Sequence, residues 1–307
     1  MALLALLFAV SARAGVPVVH AGPPEAGAAA VAQVAARTGV PAAELSAVSL
    51  DALLKGPPAV AGAGALRHCA GAPTRAADLR AQVVRAEASL REGDAAGALD
   101  RLDLAIAELG CLSDRAEAPV AGRLFLLRGA LLAQKGDTEG ARAELRTALG
   151  FVPAPTWDAA WPVEGAVVLQ EALDDHARGV LTAAPAAAPA RPWLDGRPLE
   201  VAVGPQRLGL HLVQVATTGG LHTAWLTLGG DATLVVPASF RPPVLEALGQ
   251  PAAADEVARL LQAATGAPVA YAVAGGGIWL VSVEGGFPEI TALVAPPPAA
   301  EGGKKRR

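Results

Sequence analysis

One pattern constrains this chain more than any other: it matches itself when slid by 43 positions, from Gly93 to Gly136. Gly93-Asp94-x-x-Gly97-Ala98-x-x-x-Leu102-x-x-Ala105 recurs as Gly136-Asp137-x-x-Gly140-Ala141-x-x-x-Leu145-x-x-Ala148. Such internal repetition implies stacked supersecondary units. Each copy reads as a helical hairpin, in which the glycine ends one helix, the aspartate caps the next and the alanine lets the two approach closely. Turn signals at residues 93–94, 110–114, 136–137 and 153–162 divide a helical block over residues 74–179.

Gly129, Gly136, Ala141, Leu145, Ala148 and Pro153 fall in the order and spacing of the tetratricopeptide repeat, which the second copy resembles. The first copy matches less fully through Ala86, Gly93, Ala98, Leu102 and Ala105, with Gly110 where the family often has proline. The spacing exceeds the usual repeat of about 34 residues, and the extra length sits at residues 111–120. The resemblance implies that the first helix of each hairpin lines a concave binding face. That places Arg80, Glu87 and Arg91 there from the first copy, and Arg123 and Gln134 from the second. Two repeats and a trailing helix at residues 163–178 make a shallow groove at best, since about three repeats are needed for stable stacking. A compact helical spacer with solvated charges is the competing reading.

Beyond an Ala/Pro linker at residues 182–192 the hydrophobic period changes to two. Trp193-Leu194-Asp195-Gly196-Arg197-Pro198-Leu199 carries an Asp-Gly hairpin turn, and Gly209-Leu210-His211-Leu212-Val213-Gln214-Val215 follows as a strand. This arrangement resembles the PEGA-type β module of bacterial envelope proteins. The tetrapeptide that names the family is absent, and Val163-Glu164-Gly165-Ala166 is a chance echo of it. Residues 255–264 predict an amphipathic helix. Residues 260–283 carry no charge and are long enough to span a bilayer, but Pro268, three consecutive glycines at 275–277 and alternating apolar residues predict a β-hairpin instead. The expected fold class is α+β: an N-terminal all-α, tetratricopeptide-like domain, then a small β-sandwich-like module and a C-terminal αββ unit.

The expected boundaries are a signal peptide at 1–14, an Ala-rich segment with short helices at 15–64, the helical domain at 65–181, the linker at 182–192, the β module at 193–240, the αββ unit at 241–295 and a disordered basic tail at 296–307. Within the second segment, helices are expected at 28–37 and 42–54, with a Pro/Gly linker at 55–64. The signal rests on an apolar run at 1–10 and small residues before Ala14, without the usual basic residue ahead of it. Export to the periplasm or beyond is the resulting expectation. It invites a disulfide between the two cysteines, Cys69 and Cys111; buried thiols and a metal pair with His68 are the alternatives, the last lacking two further ligands.

With 25 basic against 29 acidic side chains and a net charge of −4, the chain has no sustained positive field to hold nucleic acid. No phosphate-binding loop, zinc-protease motif or nucleophile elbow occurs. No catalytic residue, cofactor or metal is assigned. His211 and His222 read as structural imidazoles, Asp174-Asp175-His176 as a charged helix end, and Trp157 with Trp161 as a seal on the helical stack. The expected function is a non-enzymatic scaffold or adaptor for another envelope protein or a cell-wall polymer. A hydrolytic or polymer-modifying enzyme using a cleft histidine, and a subunit of a secretion or assembly complex, are the rival classes.

Overall fold

The repeated Gly-Asp pairs act as their chemistry dictates. Gly93 and Gly136 both adopt φ of 83°, a left-handed conformation that glycine alone reaches without strain. Asp94 and Asp137 then cap the following helices, their Oδ1 atoms accepting the backbone N–H of Gly97 at 2.8 Å and of Gly140 at 2.9 Å. These observations come from a computed structural model that describes residues 15–184, 191–199, 205–217, 220–237, 257–258, 260–261, 265, 267–274, 277–284 and 287–294. The signal segment and basic tail lie outside the described residues. The fold is mixed α+β, with seven α-helices and two sheets among them. The chain divides into two units, Pro57–Ser239 and a discontinuous one made of Met1–Gly56 with Phe240–Arg307.

In the first of these, α3 (Ala76–Arg91) and α4 (Ala95–Leu109) form one hairpin, and α5 (Ala118–Gln134) and α6 (Thr138–Phe151) form the next, followed by α7 (Val163–Leu173). Ala98, Leu102 and Ala105 are fully buried, as are Ala141, Leu145 and Ala148 at the same positions of the second copy. A Cβ on Gly129 would lie 2.7 Å from the Leu145 side chain, so glycine there sets how closely α5 meets α6. Seven strands follow or flank these helices: β3 (Ala59–His68), β4 (Arg178–Ala184), β5 (Arg191–Leu194), β6 (Arg197–Pro198), β7 (Pro205–Arg207), β8 (Gly209–Thr217) and β9 (Gly220–Val235). They form one sheet in the order β6-β5-β8-β9-β4-β7, with β3 also paired to β9. Leu212 and Trp225 of this sheet belong to the same hydrophobic core as the helices. A second core joins Leu181 to Leu194, Val213, Leu226 and Leu234, so both cores draw on residues from either side of the boundary expected at 182–192.

β3 corrects the Pro/Gly linker expected at 55–64. Its small residues are poor strand formers alone, yet they pair antiparallel with β9 from Ala59↔Val235 to His68↔Ala224, with a register shift between Gly62 and Gly64. The linker expected at 182–192 is likewise entered by β4 and left by β5, and its residues 185–190 lie outside the described set.

The discontinuous unit corrects the separation expected between the segments at 15–64 and 241–295: residues up to Gly56 join the described residues of the latter in one unit, while β3 belongs to the other. The sheet of the discontinuous unit runs in the order β12 (Phe287–Val294), β11 (Gly277–Glu284), β10 (Val269–Ala274), β1 (Val16–His20) and β2 (Leu45–Ser49). β1 (Val16–His20) is parallel to both β2 (Leu45–Ser49) and β10 (Val269–Ala274), so the two ends of the chain share a sheet. The helix expected at 42–54 is instead β2 followed by α2 (Leu50–Lys55), because pairing with β1 outweighs local alanine propensity. The expected helix at 28–37 is present as α1 (Gly27–Thr38). β10 and β11 (Gly277–Glu284) form the expected hairpin, from Val269↔Ser282 to Ala274↔Gly277, and β12 (Phe287–Val294) adds a strand the αββ reading lacked. Val257, Ala258, Leu260, Leu261 and Thr265 are helical; the rest of the expected helix at 255–264 lies outside the described residues. Among the described residues no helix is long and apolar enough to cross a membrane.

Candidate functional site

The residues expected on the concave face fall into three situations. Arg123 of α5 bridges Glu87 of α3 and Asp158 of the loop after α6, the latter at 3.0 Å. Its guanidinium also lies 4.9 Å from the ring centre of Trp161, a cation–π contact, and Trp161 meets Trp157 edge-on with ring centres 5.5 Å apart. Arg80 pairs with Glu117 at the start of α5. Arg91 has no such bond among the described residues, but its charge helps hold the Asp158 carboxyl below its ordinary range, after the Ala160 N–H and Arg123. Gln134 is exposed at the end of α5, about three helical turns from Arg123. It does not join the others. Arg80, Val84, Glu87 and Arg91 fall on one stripe of α3 at helical spacing, and Val84 is 55% exposed there. The partners Glu117, Asp158 and Trp161, and the exposed Val84, escaped the sequence reading. Helical spacing from Arg80 was the signal for Val84; the others need tertiary contacts.

His211 does meet a carboxylate. Its Nδ1 is 2.7 Å from Asp195 Oδ2 and its Nε2 is 2.7 Å from the Arg207 carbonyl oxygen. The other Asp195 oxygen accepts the Leu212 N–H at 2.8 Å. Both residues are buried, at 3% and 2% exposure, and neither lines a described cavity. Because a carbonyl can only accept, Nε2 carries a proton, and the carboxylate takes the one on Nδ1. Burial works against the charged ring, but the Asp195 charge and both hydrogen bonds raise its pKa above the ordinary value. No ring nitrogen is left to accept a proton from elsewhere. Asp195 itself sits at the positive-φ tip of the β5–β6 turn, with φ of 52°, and packs against Gly150 at the end of α6.

Cys69 and Cys111 are disulfide-bonded, with Cα atoms 4.9 Å apart, and no cysteine remains free. The bridge ties the end of β3 to the end of α4 and borders two cavities. The larger, about 600 Å³, is lined by Trp225, Ile106, Arg67, Asp103, Arg128 and Glu144 among others. Arg128 holds both carboxylates, Asp103 at 2.7 Å and Glu144 at 2.5 Å. Burial pushes the Glu144 carboxyl up despite that pairing. The smaller cavity, about 380 Å³, brings His68 and His222 to one wall.

Among the described residues, no three His, Cys, Asp or Glu side chains converge to hold a metal ion. In the charged segment after α7, Asp175 pairs with Arg146 at 2.5 Å. Comparison with protein-family models, curated proteins and solved structures finds no match for this chain.

Proposed function

We propose that this chain is an exported, non-enzymatic adaptor that binds another envelope protein through the α3 and α5 face. In this reading the two hairpins are tetratricopeptide-like units and the strands from β5 to β9 a PEGA-like module. The observation that carries the proposal is the stripe of Arg80, Val84, Glu87 and Arg91 beside Arg123 and Trp161. An apolar side chain left open among ordered charges and an aromatic ring has the composition of a protein-binding patch. The disulfide supports export, since such bonds persist in oxidising compartments. The engagement of both nitrogens of His211 weighs against that residue as the base of the hydrolytic alternative, which is then left with His222.

The test is site-specific photocrosslinking in envelope preparations, with the photoreactive residue at Val84 or, as control, at Leu104, which is 50% exposed on α4. One defined adduct from Val84 and none from Leu104, lost on Arg123→Glu with helicity unchanged, is the expected outcome. The same adducts from both positions, or none from Val84, would refute the reading.

A further inference from the structure

His68 and His222 are the imidazoles that the fold leaves unused beside a cavity. The β3–β9 register pairs His68 with Ala224, and His222 stands two residues along β9. Side chains two apart in a strand share a face. His222 is thus the diagonal cross-strand neighbour of His68, a separation that rings can span. Both line the cavity of about 380 Å³, together with Ser113, Thr223 and Leu221.

Their nitrogens are free in a way those of His211 are not. The Nε2 atom of His222 is buried without a hydrogen-bond partner, a costly state for a polar atom. No carboxylate lines this cavity, and both cysteine sulfurs nearby are committed to the disulfide. Hard cations such as Ca²⁺ and Mg²⁺ want oxygen ligands. Neutral imidazoles suit borderline first-row ions, with Cu²⁺ bound more tightly than Zn²⁺.

We propose that His68 and His222 form a two-imidazole site for a divalent transition cation, Cu²⁺ ahead of Zn²⁺, with water completing its coordination. The site is independent of the adaptor reading. It also revises the metal option at Cys69, Cys111 and His68: the bridge removes the thiolates, and strand register supplies the second imidazole.

The experiment titrates the oxidised full-length chain with copper(II) chloride by calorimetry and records electron paramagnetic resonance of the product. One equivalent, with nitrogen coupling from two imidazoles, is expected. His68→Ala and His222→Gln should each abolish it, while His176→Ala, an exposed imidazole elsewhere, should retain it. His68 is exposed at a strand end, so its variant keeps the test valid if the His222 variant folds poorly by circular dichroism. A full equivalent retained in the His68 variant, a spectrum lacking two coordinated imidazoles, or no uptake by the wild-type chain would overturn the proposal.

Discussion

Reducing the Cys69–Cys111 bridge should destabilise one unit of the chain by an amount that its position sets. The bridge closes a loop across a sequence separation of 42. In the chain-entropy model, tying a loop of that length removes about 13 cal/mol/K from the unfolded chain, or about 4 kcal/mol at 25 °C. The folded state should survive reduction, because other bonds hold the same junction. The Thr74 N–H donates to the Cys111 carbonyl at 3.0 Å, and the Ser113 N–H to the Thr74 carbonyl at 2.9 Å. The cost therefore falls on the unfolded ensemble. For a unit of this size, about 4 kcal/mol corresponds to a fall in Tm of ~8–16 °C. Urea unfolding with and without reductant, followed by tryptophan fluorescence and circular dichroism, measures it. The reduced chain should also show a larger denaturant slope, because its unfolded state exposes more surface. Both cysteines lie in Pro57–Ser239, so a transition from the other unit should not move. A loss below about 1 kcal/mol, against the several expected of a loop this long, or an equal shift in both units, would refute the reasoning.

Asp94→Ala and Asp137→Ala should each cost about 1 kcal/mol through loss of an N-cap, and the double variant should sum them, since the caps serve separate hairpins; chemical denaturation checks both values. Asp195→Ala should cost about 3–5 kcal/mol, because it strands the buried His211 charge. The pH dependence follows from the same pair. His211 has a folded pKa raised above its unfolded value of about 6.5, so its contribution is fully present below that pH. It is lost as pH rises through the folded pKa. Thermal melts taken upward from pH 6 should show this decline in the wild-type chain, and Asp195→Asn should flatten it.

Much of the helical block was legible because its determinants are local. Glycine at a left-handed turn and aspartate at the next N-cap are decided within four residues, and both copies show it at Gly93-Asp94 and Gly136-Asp137. The hairpin of β10 and β11 was legible for the same reason. β1, β2 and β3 were not, since each is a strand only by virtue of a distant partner. Val18 pairs with Tyr271, and Ala59 with Val235; nothing in Ala-Val-Ala-Gly-Ala-Gly announces that. Alanine-rich composition pointed β2 toward helix until β1 supplied hydrogen bonds. At the candidate face, it was the resemblance to the tetratricopeptide repeat that put forward Arg80, Glu87, Arg91 and Arg123. The salt-bridge partners Glu117, at the start of α5, and Asp158, in the loop after α6, required folding of the chain to appear.

The feature that fitted the repeat worst explains most about how the helices and sheet are joined. The extra residues after Gly110 are what the sheet grips. The Leu112 carbonyl accepts the Thr223 hydroxyl at 2.7 Å, the Asp114 carbonyl accepts Gln214 Nε2 at 3.0 Å, and the Ala116 N–H donates to Gln214 Oε1 at 2.8 Å. Gln214 is fully buried and Thr223 nearly so, and a buried amide without partners would cost more than the hydrogen bonds contribute. The same loop caps α3 through Asp114 Oδ1, which accepts the Ala76 N–H at 2.7 Å, and it carries Cys111. The residues between the two hairpins are thus where helices and sheet are tied together: with Leu212 and Trp225 of the sheet inside the helical core, the sheet fixes the loop, the loop fixes the start of α3, and α3 carries the face proposed to bind a partner.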